Sequence, residues 1–106
     1  MREFEAEELK AYLETAEKPP VLLDVRQPWE YDICRLEPSV LIPMSTIPAH
    51  LDQLDKDKET VVICHHGVRS RRVAYYLEQV GFTNIINLKR GLDGWARSVD
   101  TDMATY

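Results

Sequence analysis

The chain has 106 residues, which points to one domain with a modest core, and its 44% hydrophobic and 29% charged content is ordinary for a globular protein. The formal net charge of −5 argues against partners that need a basic surface, such as nucleic acid or an anionic membrane. The sequence has no apolar stretch long enough for a transmembrane helix and begins with acidic residues rather than a signal peptide, so we expect a cytoplasmic protein.

Four short runs rich in Val and Ile are nearly free of polar residues. This pattern is typical of strands covered on both faces of a parallel sheet. The runs lie at residues 21–25, 40–42, 60–64 and 84–88.

Helical patterns alternate with these runs. Apolar residues at helical spacing predict helices near residues 6–16, 47–54, 73–80 and 92–99. Gly81 is placed to end the third helix. The alternation predicts a single α/β domain over residues 1–106 with right-handed crossovers, and we expect residues 98–106 to be a surface tail.

The loop after the third run combines features that a plain strand-to-helix connection does not need. Cys64 ends the run, and ligands of open parallel sheets bind beyond the carboxyl ends of the strands. Gly67 lets the chain curl, and Ser70 is a candidate N-cap of the next helix. Loop amides, the helix dipole and Arg69 would together stabilise a thiolate, so we interpret Cys64 as a nucleophile that needs no separate base.

The same loop has two other interpretations, a buried hydrophobic cysteine and a metal site. A cysteine that ends an apolar strand is usually a small buried hydrophobic residue. A metal site would use Cys64, His65, His66 and His50, but adjacent ligands rarely converge on one ion and the spacing matches no zinc pattern. We therefore expect no metal and place His65 and His66 at the rim of a pocket, where they tune the thiolate or contact substrate.

Several segments together resemble the rhodanese domains, a family of sulfurtransferases. The stretch CHHGVRS at 64–70 resembles their active-site loop, and LLDVRQPWEY at 22–31 resembles their Asp-Val-Arg motif. LIPMSTI at 41–47 and GFTNIINLKRGLDGWARSVD at 81–100 resemble the Ile-Pro segment and the closing strand with its Trp helix. The resemblance covers nearly the whole chain and implies a three-layer fold: a roughly five-stranded parallel sheet with helices on both faces.

The resemblance also implies a reaction. The Cys64 thiolate would take the outer sulfur of thiosulfate or of a persulfide donor. The resulting persulfide would pass that sulfur to cyanide in vitro, or to a thiol or carrier protein in the cell. No cofactor is implied, and Arg69 would bind the sulfonate of an anionic donor. The loop that would bind substrate comprises His65, His66, Gly67, Val68, Arg69 and Ser70.

Supporting residues outside the loop are expected to be structural. We interpret Asp24 and Arg26 as a partly buried pair, or Asp24 as a capping carboxylate, that holds the loops. We favour this over a direct catalytic role because buried charges are generally paired. Glu30 is expected to serve packing and helix geometry. Cys34 stands where the family commonly has glycine, and three roles stay open for it: a buried thiol, a resolving partner of Cys64, or an incidental surface thiol.

Arg71 and Arg72 follow at the start of the helix, where they either steer anions or are solvated.

Two rival functions belong to the same fold. Rhodanese-fold phosphatases use a loop one residue longer, whereas Cys64 to Arg69 spans the shorter, six-residue form. Rhodanese-like binding or regulatory modules often lack the cysteine, whereas this chain keeps Cys64, Gly67 and Arg69. Sulfur transfer is therefore the favoured prediction, with the binding module next.

Overall fold

The computed structural model describes residues 1–106 and contains a five-stranded parallel sheet. The order of the strands across the sheet is β1-β5-β4-β2-β3. Their bounds are Arg2–Phe4 for β1, Val21–Asp24 for β2, Val40–Leu41 for β3, Thr60–Ile63 for β4 and Ile85–Leu88 for β5. The predicted α/β fold, with its parallel sheet, is confirmed.

Helices cover both faces of the sheet, so the central strands have two apolar sides. The α-helices are α1 (Ala6–Thr15), α2 (Pro28–Ile33), α3 (Val68–Gln79) and α4 (Gly91–Ser98), and a 3₁₀ helix, η1, spans Met44–Gln53. One core cluster joins alternate strand residues to α3 and η1, and the other joins the intervening strand residues to α1 and α4. None of the helices has both the length and the apolar character needed to cross a membrane.

Two elements were not foreseen from the sequence. Strand β1 has only three residues, of which Arg2 and Glu3 are exposed, so it shows no apolar run. Helix α2 is six residues long and begins with Pro28 in its first turn, where a missing N–H does no harm. A capping box between Gln27 and Glu30 fixes its start.

Three predictions concern helix type and helix ends. The helix expected near 47–54 is a 3₁₀ helix that contains Pro48. The prediction that Ser70 caps α3 is wrong: the helix begins at Val68 and its N-cap is Gly67, which places Ser70 inside the first turn. The prediction for Gly81 is confirmed, since it follows the C-cap Val80 with a φ of +103°.

Candidate active site

Cys64 follows β4 directly, at the carboxyl edge of the sheet, and its side chain is buried. Its Sγ accepts hydrogen bonds from the backbone N–H groups of Gly67, at 3.1 Å, and Ser70, at 3.3 Å. The thiol in turn donates to the hydroxyl of Ser70 at 3.3 Å. Two amide donors at the start of α3 thus converge on the sulfur, an arrangement that stabilises a sulfur anion.

Gly67 is the residue that allows this convergence. Its φ of +91° lies in the left-handed region that disfavours side chains. A Cβ at this position would also collide with the carbonyl oxygen of Lys89, in the turn after β5. The backbone of the Cys64 loop therefore packs against that turn more closely than any other residue type permits.

Ser70 is held by a buried polar chain rather than acting as a cap. Its hydroxyl donates to Oδ1 of Asn87, and Nδ2 of Asn87 donates to Glu3 at 3.0 Å. The hydrogen bond from Asn87, and then that from Arg71, lowers the pKa of Glu3. This chain ties the first turn of α3, and with it the amides that face Cys64, to strands β1 and β5.

Arg69 does not extend freely over the loop. Its guanidinium makes a bidentate pair with the carboxylate of Glu30, at 2.7 and 2.8 Å. Glu30 is only 3% exposed and also accepts hydrogen bonds from the backbone N–H of Gln27 and the hydroxyl of Tyr106. The bonds from Arg69, offset in part by burial, hold the pKa of Glu30 at about 2.

The expectation that Glu30 serves helix geometry is therefore incomplete. It does close the capping box of α2, but the same carboxylate is the partner of the loop arginine. Glu30 lies in the segment that resembles the family's Asp-Val-Arg motif. Nothing in the sequence indicated that it pairs with Arg69, which lies 39 positions away.

Asp24 and Arg26 form the buried pair that the sequence predicted. The side chains of both are at most 1% exposed, and three hydrogen bonds of 2.8–3.1 Å join the guanidinium to the carboxylate. Arg26 also donates to the carbonyl oxygen of Cys34 at 2.6 Å and to the hydroxyl of Tyr106 at 3.0 Å. The arginine thereby connects the end of β2 to the residues after α2 and to the last residue of the sequence.

Residues 100–102 and 104–106 are exposed, as expected of a surface tail, but the last of them, Tyr106, also contacts residues around the loop. Its ring stacks on His65, with the ring centroids 4.0 Å apart, and meets Trp29 edge-on. Its hydroxyl accepts from Arg26 and donates to Glu30. Burial is the main reason why the pKa of this hydroxyl is raised to about 12. The last residue of the sequence is therefore part of the wall around the loop.

His65 and His66 lie beside each other on the loop. The ligand atoms of His65, His66 and Asp93 lie within 4.8 Å of one another, so this is where a metal would find donors. Arg97 already binds Asp93 at 2.9 Å. Burial and the neighbouring His66 lower the pKa of His65, which favours its neutral form. His50, considered earlier as a ligand, faces the carbonyl oxygen of Thr46 within η1 instead.

The other predicted residues surround this centre. Val68 is largely exposed at the start of α3. Arg71 pairs with Glu3 at 2.8 Å, whereas Arg72 is exposed and borders a shallow groove next to the loop. Cys34 is a half-buried free thiol whose sulfur lies 3.8 Å from a guanidinium nitrogen of Arg26.

The chain belongs to the rhodanese-like domain family, whose family model matches residues 5–98. A crystal structure of a rhodanese-like domain protein from Staphylococcus aureus is 35% identical, with a TM-score of 0.83 over 90% of this chain and 91% of that one. A protein of Allochromatium vinosum named sulfurtransferase is 32% identical over 92% of this chain and 90% of its own length.

Larger relatives contain a similar segment. A probable adenylyltransferase/sulfurtransferase, MoeZ, of Mycobacterium tuberculosis is 35% identical over 93% of this chain. The adenylyltransferase and sulfurtransferase uba4 of Ogataea parapolymorpha is 35% identical over 87% of it. The chain spans only about a quarter of the length of these two proteins, 26% and 24% respectively.

Proposed function

We propose that the protein is a sulfurtransferase that carries a sulfane sulfur on Cys64. In the first half-reaction the Cys64 thiolate attacks the outer sulfur of a donor, thiosulfate or an alkyl persulfide. The sulfur–sulfur bond of the donor breaks, and sulfite or a thiolate leaves with the bonding electrons. In the second half-reaction an acceptor attacks the outer sulfur of the Cys64 persulfide and releases the thiolate again.

The observation that carries this proposal is the pair of amide donors on Sγ of Cys64. The N–H groups of Gly67 and Ser70 are held in place by the backbone and stabilise negative charge on the sulfur. With this stabilisation the thiolate needs no separate proton-accepting base. A persulfide intermediate is itself anionic, so the same helix start serves both the attacking thiolate and the loaded state.

The relatives support sulfur transfer in general. Three of them are named as sulfurtransferases. The chain spans about a quarter of the two larger ones, so their similarity supports sulfur transfer and not adenylyl transfer. The acceptor in the cell would be a thiol or a carrier protein, and cyanide would replace it in vitro.

Intact-protein mass spectrometry tests the proposal. The chain is incubated with thiosulfate and, separately, with glutathione persulfide, and then with cyanide. We expect the mass of one sulfur atom to be gained and then lost, with Cys64→Ser abolishing the gain and Cys34→Ser leaving it intact. No gain from either donor would contradict sulfur transfer and favour a binding module with the same fold.

A further inference from the structure

Three arginines around the Cys64 loop are paired with carboxylates, whereas Arg72 is exposed at the border of the neighbouring groove. Each of the three makes at least one contact of 2.8 Å or shorter with its own acidic partner. The pairs are Arg26 with Asp24, Arg69 with Glu30, and Arg71 with Glu3. The side-chain charge of these three pairs therefore sums to zero, although the loop sequence alone suggests a strongly positive site.

The pair between Arg69 and Glu30 is the one that decides what the loop can bind. Glu30 is almost fully buried, and Tyr106 and Gln27 hold its carboxylate from two further directions. If Arg69 turned toward a bound anion, it would leave this buried carboxylate without its cation, which is strongly unfavourable. Arg69 keeps N–H groups that Glu30 does not use, but its positive charge is already offset by Glu30, so it attracts an anion less strongly than an unpaired arginine would.

Thiosulfate carries more negative charge than these paired arginines can stabilise. It enters as a dianion, and sulfite leaves as a dianion, so two negative charges must be stabilised next to a thiolate. The amides of Gly67 and Ser70 converge on one atom, the sulfur of Cys64. An alkyl persulfide, R–S–SH, needs less: its outer sulfur is transferred, RS⁻ leaves with the bonding electrons, and the proton stays on the new Cys64 persulfide until solvent takes it.

We propose that Glu30 is a specificity-determining residue that holds Arg69 away from anionic donors, so that the site favours alkyl persulfides over thiosulfate. This inference rests on the proposed sulfur transfer and adds the donor class and the residue that sets it. Glu30 acts through Arg69 and is a positioning residue, because its carboxylate makes no contact with Cys64 in the structure.

Single-turnover loading of Cys64 tests the inference. The loading rate is measured against donor concentration for thiosulfate and for cysteamine persulfide, whose ammonium group offsets the charge of its ionised fraction, so that it carries no net negative charge. Glu30→Gln keeps the shape of the side chain and removes its charge. We expect the loading efficiency with thiosulfate to rise roughly tenfold, mainly through tighter binding, while that with cysteamine persulfide changes less than about threefold.

A matched control exists at the other end of the sheet. Glu59 also binds one arginine, Arg2, and one tyrosine hydroxyl, that of Tyr12. Glu59→Gln removes the same charge from a site remote from the loop, so the donor preference should stay as in the parent. The double variant Glu30→Gln/Arg69→Gln should lose the gain with thiosulfate, because that gain needs a released Arg69.

The salt dependence of the parent protein provides a test that requires no substitution. A free arginine would make loading by thiosulfate fall steeply with added salt, whereas a paired one predicts a shallow dependence. The role of Glu30 would be overturned if Glu30→Gln showed the same preference between the two donors as the parent. A steep salt dependence of thiosulfate loading in the parent would overturn it as well. Failure of both donors to load Cys64 would instead overturn the sulfur transfer on which it rests.

Discussion

The two ends of the sheet carry the same three kinds of side chain. At each end a carboxylate accepts hydrogen bonds from an arginine and from a tyrosine hydroxyl. At the carboxyl end the three are Glu30, Arg69 and Tyr106, and at the amino end they are Glu59, Arg2 and Tyr12. The clusters differ in burial and in the ion pair, which has two hydrogen bonds at the carboxyl end and one at the amino end.

Tyr12 and Glu59 of the amino-end cluster lie on the wall of a cleft of about 590 Å³, and the arginine of this cluster is half exposed. The carboxyl-end cluster is more closed: the side chains of Arg69 and Glu30 are 32% and 5% exposed, and Cys64 lies close by on the same loop. Cleft size therefore does not mark the site in this fold. At the proposed site a buried carboxylate instead holds a cation on the loop that carries Cys64.

The largest difference between the ends should appear when a buried arginine is removed. Arg26→Ala leaves Asp24 as an unpaired buried charge and should lower the free energy of unfolding by about 3–5 kcal/mol. Arg2→Ala removes an exposed cation and should lower it by less than about 1 kcal/mol. Urea unfolding followed by tryptophan fluorescence measures both, and equal losses would contradict the difference in burial.

Glycines with positive φ extend the comparison to the backbone. Gly67→Ala combines left-handed strain with a collision against the carbonyl of Lys89, and should cost about 3 kcal/mol or more. Gly81, near the amino end, has a similar φ, but a Cβ there would lie 3.5 Å from the flexible end of Lys56. Gly81→Ala should therefore cost only about 1–2 kcal/mol.

Loading of Cys64 provides a second measurement on the same pair of variants. Gly67→Ala should impair it, because the Gly67 N–H is one of the two donors to the sulfur. Gly81→Ala should load as the parent does. Impaired loading in both variants would mean that general destabilisation, rather than the geometry of the loop, limits sulfur transfer.

Acid should weaken the cluster at the carboxyl end. The folded protein holds the pKa of Glu30 at about 2, below its ordinary value of 4.5, so this group stabilises the fold above pH 4.5 and loses that contribution as pH falls toward 2. Between pH 5 and pH 3 the loss should be about 2 kcal/mol. Urea unfolding at both pH values should show a drop smaller by this amount in Glu30→Gln than in the parent, and equal drops would contradict the assignment to Glu30.

The sequence predicts the residues of this site that are close along the chain, but not the partners that are far along it. Cys64, Gly67 and Arg69 are close neighbours along the chain, so a strand end, a glycine and a helix start were enough to predict the loop. The partners of Arg69 come from elsewhere: Glu30 lies 39 positions from it, and Tyr106 lies 76 positions from Glu30. No periodicity or spacing relates such residues, since only the folded sheet brings the ends of β2 and β4 together.

The fold divides in a similar way. The apolar runs of β2, β4 and β5 are buried along nearly their whole length, so composition alone identified them. Strand β1 forms by pairing three residues with β5 at the edge of the sheet, and its stability comes from that pairing rather than from its own sequence. A polar edge strand such as β1 and a short helix such as α2 depend on tertiary context, which a pattern of apolar residues does not contain.

The smallest expected difference concerns the tyrosine hydroxyls. Tyr106→Phe keeps the ring against His65 but removes a donor to buried Glu30 and an acceptor for Arg26, and should cost about 1.5 kcal/mol. Tyr12→Phe removes a donor to a more accessible carboxylate, and water can replace it, so a smaller loss is expected. Urea unfolding at neutral pH compares them. Equal costs would mean that Arg69 and the Gln27 amide satisfy Glu30 by themselves, and that the contrast between the two ends comes from the buried ion pair and not from the tyrosine that closes it.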